Sequence, residues 1–452
     1  MAKMSTVYRC RECDSQSTFP LGRCPRCGEW GTMEPRAETP ALDIDNRIAE
    51  MNSAPSELTR LSTVQVDDSS RRSAGIPEVD RVLGGGWVPG GVLLLTGEPG
   101  VGKSTLLLQL SDLAASVGHQ TLYISGEESL SQVKLRANRI GVKADLALTR
   151  EINAHALAHH FQNTSTDLVI IDSIQSILAD TRSTPGSLTQ VRDASAILTQ
   201  AAKSTNTTLV LIGHVTKQGG IAGPKVIEHM VDATLSLEAA STFKILRALK
   251  NRFGPAGEVG VFEMGSEGLV PLPNPSQAFL AERRGDIPGS VVLAALEGQR
   301  SLLLEVQALA SKTPHPSPRR VVQGLDPRRV DVVLAVLERR VGLPLASLDI
   351  FINVAGGLRL TDPGADLAVA LATYSAIIGK SLPAQTAVVG EVGLAGEVRS
   401  VKQMLQRQRE SERSGYPHLI APTTQSTEHP GIRSVSEAIT LAWGNGVPID
   451  ES

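Results

Sequence analysis

The sequence predicts an α/β protein built on a mostly parallel, doubly wound sheet, with a small cysteine-rich module before it and an α+β region after it. Three observations lead to this prediction. A glycine-rich stretch at residues 97–105 lies between a short apolar run and a run of helix formers. Further apolar runs alternate with helical segments as far as residue 250. All four cysteines precede Gly28.

Composition narrows the class of protein. The 452 residues are enough for two or three domains, and 41% hydrophobic with 20% charged residues is typical of globular proteins. The net charge of -3 means that any nucleic-acid binding must come from local basic patches. No apolar run reaches the length of a membrane span, and the N-terminus lacks the apolar segment of a secretory signal. We therefore expect a cytoplasmic protein with no membrane partner.

The cysteine spacing, C-x2-C-x10-C-x2-C, predicts a zinc ribbon over residues 1–34, because two such pairs build a tetrahedral four-thiolate site. The predicted ligands are Cys10, Cys13, Cys24 and Cys27. Two disulfides in a secreted domain are the alternative, which the missing secretory signal disfavours. Residues 35–72 carry Pro, Ser, Glu and Asp without periodicity, and this predicts a linker.

The glycine-rich stretch has the pattern of a phosphate-binding P-loop, G-x-x-x-x-G-K-S, in the strand-to-helix context that the motif needs. The predicted nucleotide-binding residues are Gly97, Glu98, Pro99, Gly100, Val101, Gly102, Lys103, Ser104 and Thr105. Lys103 is expected to reach the β- and γ-phosphates, and Ser104 to ligate Mg²⁺. A chance match is disfavoured because strand, loop and helix are all in register.

Carboxylates follow two of the later strands. Glu127 and Glu128 come directly after one apolar run, where either could polarise the water that attacks a phosphate. Both could instead be acids favoured by a helix N-terminus, and spacing alone leaves the choice open. A second run ends at Asp172, which predicts a Walker B strand whose carboxylate holds Mg²⁺ through water or through Ser104.

The remaining strands complete a predicted core over residues 73–275. The run at residues 208–214 leads into a polar and glycine-rich loop that contains Lys217 and Lys225. These lysines could contact a phosphate backbone, or the loop could simply be solvated. Further strands are predicted at residues 233–238, 244–250, 262–264 and 268–270.

Taken together, the four cysteines and the motifs GEPGVGKST, ISGEES, LVIIDS and KNRFG resemble the bacterial RadA (Sms) family of DNA recombination and repair ATPases. The resemblance implies a RecA-like ATPase core that uses ATP, Mg²⁺ and Zn²⁺, with Glu127 as the glutamate that activates water and Glu128 as a second candidate. It also implies a DNA-stimulated hexameric ring that acts on single-stranded and branched DNA during branch migration. A recombinase partner and nucleoid association are further implications.

The motif KNRFG, residues 250–254, is the most specific of these motifs. Ring ATPases commonly complete the site of one subunit with a cation from the next. Lys250 and Arg252 suit that catalytic role or a DNA contact. The alternative is a strand end with solvated charges, which the resemblance disfavours.

Residues 285–452 resemble the proteolytic domain of the Lon protease, which needs a serine nucleophile and a lysine base. Gly364 stands where the serine should be, and Leu405 falls near the position expected for the lysine. We therefore interpret the region as a non-proteolytic scaffold. Four arginines could line a DNA channel or be merely solvated, namely Arg319, Arg320, Arg328 and Arg329.

Three functional hypotheses follow. The first is a DNA-dependent ATPase that acts as a ring-shaped motor. The second is an ATP-dependent Lon-like protease, which Gly364 argues against. The third is a non-motor nucleotide switch of the same fold, which is disfavoured because Lys103, Glu127 and Asp172 together suit hydrolysis better than sensing.

Overall fold

The computed structural model describes residues 6–12, 15–17, 19–37, 60, 71–179, 186–214, 227–313, 317–423 and 431–444. The chain divides into two compact units, Met1–Asp68 and Ser69–Ser452, and each is described by itself. Across the described ranges, no helix combines the length and the apolar character needed to cross a membrane.

The first unit contains a three-stranded antiparallel sheet of β1 (Thr6–Cys10), β2 (Gln16–Ser17) and β3 (Met33–Ala37), in the order β2-β1-β3. Strand β3 continues to Ala37, opposite Thr6, and so passes the predicted end of the ribbon at residue 34. Pro35 suggests a strand end in the sequence, but β3 is an edge strand, where a missing N–H donor is tolerated.

The second unit is built around a nine-stranded sheet. In chain order its strands are β4 (Val92–Gly97), β5 (Thr121–Ser125), β6 (Ala147–Thr149), β7 (Leu168–Asp172), β8 (Thr208–His214), β9 (Ala233–Ala240), β10 (Phe243–Asn251), β11 (Val259–Gly265) and β12 (Gly268–Pro271). The order across the sheet is β12-β11-β10-β9-β4-β8-β7-β5-β6. The strands from β9 to β6 are parallel, and β10 to β12 extend the sheet as antiparallel strands. The predicted mostly parallel sheet is confirmed.

Helices cover both faces of this sheet. In chain order they are α1 (Pro77–Leu83), α2 (Lys103–Ser116), α3 (Leu130–Ile140), α4 (Ala154–Asn163) and α5 (Leu188–Thr205). Every residue of β4 is buried, because successive side chains point to opposite faces that are both covered. Leu93 and Leu95 pack in the apolar core with α1, α2 and α3, whereas Val92 and Leu94 pack in the core with α4 and α5.

A six-stranded sheet and a two-stranded ribbon follow. Their strands are β13 (Ser290–Glu297), β14 (Arg300–Lys312), β15 (Arg320–Gln323), β16 (Leu348–Val354), β17 (Thr386–Val388), β18 (Glu391–Val392), β19 (Val398–Arg399) and β20 (His418–Ile420). The larger sheet has the order β15-β16-β14-β13-β17-β20, and β18 pairs with β19. The accompanying helices are α6 (Pro275–Leu280), α7 (Pro327–Val336), α8 (Ala365–Ile378), α9 (Met404–Arg413) and α10 (Val435–Trp443). This mixed arrangement confirms the predicted α+β region.

The apolar core of this region reaches into the first sheet. Ile245 and Val261 of the nine-stranded sheet belong to the same buried cluster as Leu293 and Val306 of the six-stranded sheet. The predicted end of the first region at residue 275 and the predicted start of the second at residue 285 stay predictions. Side chains from both regions share one buried core, so packing does not mark a boundary between them.

A buried ion pair also links the two sheets. Arg300, at the start of β14, donates from Nη1 to the carboxylate of Glu78 on α1 and to the carbonyl oxygen of Val259 at 3.1 Å. The same carboxylate accepts a hydrogen bond from the N–H of Val261 at 2.9 Å. The two charged side chains are 9% and 5% exposed, so neither charge is solvated by water.

Replacing Arg300 with methionine is expected to destabilise the protein by about 3–5 kcal/mol, because the buried Glu78 loses its close ion-pair partner and is left with the half-exposed Arg81 at 3.7 Å. Chemical denaturation measures the loss. The double variant Arg300→Met with Glu78→Gln should be less destabilised than the single variant. An Arg300→Met variant as stable as the parent protein would contradict this account of the interface.

Candidate nucleotide site and metal centre

The predicted P-loop residues, Glu127 and Asp172 meet at one edge of the nine-stranded sheet. Strands β4, β5 and β7 are parallel and end there, and the P-loop, the Glu127–Glu128 turn and Asp172 stand at their carboxyl ends. They surround a cavity of about 320 Å³. Its lining residues are Pro99, Gly100, Gly102, Lys103, Ser104, Thr105, Glu127, Glu128, Arg136, Arg139 and Asp172.

Two glycines of the P-loop are required by the backbone. Gly97 has φ 150°, and a Cβ at this position would lie 2.3 Å from the carbonyl oxygen of Leu237. Gly102 has φ 118° and caps α2, and a Cβ there would meet Met264 Cε at 2.8 Å. The helix that follows directs its first N–H groups and its positive dipole end at the cavity, which favours phosphate binding.

Lys103 is the buried cation of this cavity. Its side chain is 4% exposed, and Nζ donates to the carbonyl oxygens of Gly97 at 2.8 Å and Glu98 at 2.9 Å. Burial lowers the pKa of Lys103, and the charges of Asp172 and Glu127 oppose that shift. The two carboxylates are thus close enough to act on the lysine, as the motif predicts.

Asp172 is held by a tyrosine that the sequence motifs do not identify. Tyr123 lies on β5, is fully buried, and donates its hydroxyl to Asp172 Oδ2 at 2.7 Å. Burial and the neighbouring Asp172 raise the pKa of Tyr123, so the phenol keeps its proton. With one carboxylate oxygen fixed in this way, Asp172 and Ser104 form an oxygen ligand set that fits Mg²⁺ beside a bound triphosphate.

The two glutamates have different partners. Glu127 is exposed and its carboxylate accepts a hydrogen bond from Ser173 Oγ, whereas Glu128 forms an ion pair with Arg136. Helix α3 begins just after them with Ser129 as its cap, as the helix prediction requires. Glu127 is thus bonded to the residue directly after Asp172, at the end of the neighbouring strand, and this position favours Glu127 as the base.

Lys250 and Arg252 lie at the opposite edge of the sheet. Lys250 Nζ donates to two carbonyl oxygens just before β9, at 2.6 and 2.7 Å. Arg252 Nη1 contacts Asp232 Oδ1 at 3.4 Å, and the same carboxylate accepts the N–H of Val92 at 3.1 Å, where β4 begins. Because β4 runs from there to Gly97, these cations are about 17 Å from the P-loop of their own subunit.

The cysteine cluster confirms the predicted ribbon. The Sγ atoms of Cys10, Cys24 and Cys27 all lie within 4.8 Å of one another, and Cys10 and Cys24 are buried. Cys13 lies outside the described residues. Three converging thiols, one from the end of β1 and two from the segment between β2 and β3, fit a tetrahedral zinc site with a fourth thiolate.

Replacing Cys24 with serine is expected to abolish zinc binding and to unfold the ribbon, because so small a module has little apolar core of its own. Metal analysis should find one zinc per chain in the parent protein and a substoichiometric amount in the variant. Limited proteolysis should cut the variant before residue 38, and Ser15→Ala serves as a control that keeps all four thiols. Paired disulfides in the purified parent protein would contradict the assignment.

Gly364 has no side chain that could act as the nucleophile of a Lon-type protease. The structure also corrects the position predicted for the catalytic lysine. A Cβ on Gly364 would lie 3.1 Å from Arg407 Nη1, whereas Leu405 is 44% exposed. Arg407 is fully buried and forms an ion pair with Asp362, with Nη2 3.0 Å from Oδ1. Spacing along the chain predicts Leu405 at the lysine position, but spacing alone does not fix which residue of a helix faces Gly364. Arg407, not Leu405, faces the position of the missing nucleophile.

The predicted channel arginines have mixed environments. Arg320 donates to the carbonyl oxygens of Leu345, at 2.6 Å, and of Leu348. Arg329 pairs with the buried Asp366 and with Glu391. Both guanidinium groups therefore stabilise the fold, while Arg328 is exposed on α7. Arg319 has its N–H bonded to Asp349, and Lys217 and Lys225 lie outside the described residues.

Three family models match parts of the chain. The AAA domain matches residues 54–220, the Rubredoxin metal binding domain matches residues 8–35, and Subunit ChlI of Mg-chelatase matches residues 327–425. These matches fall on the nucleotide site, the cysteine cluster and the second region, in agreement with the fold class predicted from the sequence.

Curated relatives match nearly the whole chain. A protein of Halalkalibacterium halodurans is 41% identical over 98% of this chain and all of its own length. Relatives from Streptococcus pyogenes serotype M1 and Bacillus subtilis are 42% and 40% identical, again over 98% of this chain and all of theirs. Each of the three is named DNA repair protein RadA. This chain belongs to the RadA family of P-loop ATPases.

Proposed function

We propose that the protein is a DNA-dependent ATPase of homologous recombination and DNA repair, working as a hexameric ring that drives branch migration on single-stranded and branched DNA. The observation that carries the proposal is the cavity in which Lys103, Glu127 and Asp172 converge on the P-loop. The naming of the relatives as DNA repair proteins supports DNA as the partner. A recombinase partner and association with the nucleoid belong to the same proposal.

The residues of the cavity account for hydrolysis. Glu127 accepts a proton from water as the water oxygen bonds to the γ-phosphorus of ATP, and the bond from that phosphorus to the β–γ bridging oxygen breaks. ADP leaves with its electron pair. Lys103 and the N–H groups at the start of α2 offset the charge on the phosphates. Mg²⁺, held by Ser104 and Asp172, supplies further charge neutralisation when it is bound.

A shared site explains why Lys250 and Arg252 lie far from their own P-loop. In a ring whose subunits are arranged head to tail, one edge of a subunit meets the other edge of its neighbour. Lys250 and Arg252, at the edge opposite their own P-loop, then contact the nucleotide site of the next subunit or face DNA. The contacts of Lys250 with backbone carbonyls and of Arg252 with Asp232 hold both side chains at that edge.

Mixing two inactive variants tests the shared site. Lys103→Ala lacks the P-loop cation, and Lys250→Ala lacks the proposed cation in trans. If Lys250 acts on the neighbouring site, mixed rings contain some interfaces with both lysines, and phosphate release returns on mixing. Lys244→Ala, on the same strand, should remain active alone. A mixture that forms rings but stays inactive would contradict action in trans.

The alternatives fit the geometry less well. A Lon-like protease needs a nucleophile, and Gly364 stands beside the buried ion pair of Arg407 and Asp362 instead. A nucleotide switch without turnover does not need Glu127 placed beside Asp172 and Lys103. ATP turnover with and without DNA tests the proposal as a whole.

A further inference from the structure

We propose that Arg136 is a substrate-binding residue that contacts the terminal phosphate of ATP and that Glu128 competes with this phosphate for it. Arg136 would then be the group that makes the site distinguish a nucleoside triphosphate from a diphosphate. The inference rests on the proposed function only in taking ATP as the ligand of the P-loop cavity. Arg136 lies outside the P-loop and the Walker B strand.

The position of Arg136 is fixed by its helix. Helix α3 starts directly after the Glu127–Glu128 turn, with Ser129 and Gln132 forming a reciprocal capping box. Val133, Ala137 and Ile140 are buried on the adjoining side of the helix, with Val133 and Ile140 one turn before and after Arg136. Arg136 is therefore held by a packed helix at the wall of the cavity, on the side formed by the ends of β5 and β7.

The two terminal nitrogens of the Arg136 guanidinium have different environments. Nη2 donates to the Glu128 carboxylate, whereas Nη1 is covered by protein and has no hydrogen-bond partner within the part of the chain that the structure describes. An unpaired buried donor on a charged group is costly. A planar guanidinium offers two parallel N–H donors that match phosphate oxygens, so a small rotation toward the cavity would satisfy both nitrogens.

The neighbours of Arg136 indicate which phosphate it meets. Its ion-pair partner Glu128 follows the end of β5, and the last residue of β5 pairs with Asp172 at the end of β7. Arg136 therefore lies at the Asp172 end of the cavity and not at the far end of the P-loop. Hydrolysis requires the terminal phosphate to lie between Asp172, Glu127 and Lys103, which is the same end.

Substituting Glu128 provides a second test, because it should change triphosphate affinity in the opposite direction to a substitution of Arg136. Its ion pair with Arg136 must break, or be shared, when the guanidinium turns to a phosphate. Removing the negative charge at this position should free Arg136 and strengthen triphosphate binding. Removing the positive charge should weaken it, so the two members of one ion pair have effects of opposite sign.

Equilibrium binding separates this role from turnover. We would measure the affinity of the full-length protein with Mg²⁺ for ADP and for a non-hydrolysable β,γ-imido analogue of ATP, by calorimetry. Arg136→Ala should bind the analogue about 10–100-fold more weakly, as expected for one charge-assisted contact, and should bind ADP with nearly unchanged affinity. Arg136→Lys should recover part of the loss, and Glu128→Gln should bind the analogue more tightly than the parent protein.

Lys134→Ala is the matched control, since Lys134 is exposed on the same helix and does not line the cavity. Equal losses for ADP and the analogue in Arg136→Ala would overturn the inference, as would weakened analogue binding in Glu128→Gln. If Arg136→Ala does not fold, Arg136→Lys and Glu128→Gln decide the question. Because binding is measured without hydrolysis, an inactive or DNA-independent enzyme would contradict the proposed function and leave this result standing.

Discussion

Replacing Lys103 with alanine is expected to reduce ATP turnover by about 10²–10³-fold or more, because the variant lacks the one buried cation of the P-loop. Its Nζ now contacts the carbonyl oxygens of Gly97 and Glu98, within the loop that surrounds the phosphates. Charge that accumulates on the β–γ bridging oxygen during cleavage would then lack its nearest counter-charge. Phosphate release at saturating ATP and Mg²⁺ measures the effect.

The fold of this variant should survive. Lys103 forms no ion pair within 4 Å among the described residues, and its pKa is already lowered by burial, so the substitution removes a charge that burial disfavours. Lys143→Ala, an exposed lysine outside the cavity, is the matched control and should keep full activity. A folded Lys103→Ala protein with parental turnover would show that the cavity is not the hydrolytic site.

Replacing Glu127 with glutamine is expected to lower the turnover rate by about 10²–10⁴-fold while ATP binding is retained, since the amide cannot accept a proton from water. Glu128→Gln should have a much smaller effect on the rate, because Glu127 and not Glu128 contacts Ser173, the residue directly after Asp172. The geometry separates two neighbouring acids that the sequence motif presents as equivalent.

Single-turnover hydrolysis with excess enzyme distinguishes the two glutamates, because it isolates the chemical step from product release. Nucleotide affinity should be measured in parallel, so that a lost rate is not mistaken for lost binding. If Glu128→Gln loses the larger part of the rate and Glu127→Gln retains it, the assignment of the base is wrong.

The sequence was most informative where local pattern alone decides the structure. The apolar run of β4 predicts a strand buried on both faces, and the P-loop predicts glycines with backbone angles that only glycine adopts easily. The same kind of run predicts the strand that ends at Asp172 and the strand that ends just before Glu127. The carboxyl ends of these strands lie at one edge of the sheet because the strands are parallel.

Residues that act through packing were missed. Tyr123 lies in an apolar strand and gives no sign in the sequence that its hydroxyl contacts Asp172, because that contact crosses between β5 and β7. Ser173 and Arg136 were missed for the same reason. Glu128 precedes the helix that carries Arg136, so helix periodicity does not show that the two side chains meet.

The position predicted for the Lon-type lysine failed for a related reason. Leu405 and Arg407 are two residues apart on α9, so they point about 200° apart around the helix. Counting along the chain cannot tell which of them faces Gly364, and the buried Asp362 selects Arg407 as its ion-pair partner. In contrast, the location of Lys250 at the far edge follows from strand direction once β10 is known to be antiparallel to β9.

The most direct test of the account is the rate of ATP hydrolysis by the zinc-loaded protein with and without single-stranded DNA, measured across salt concentrations with Lys103→Ala as the blank. We predict that DNA raises the rate and that the stimulation disappears steeply as salt increases, because phosphate contacts release counterions. An ATP hydrolysis rate at low salt that is the same with and without DNA would contradict the central claim that this P-loop ATPase works on DNA.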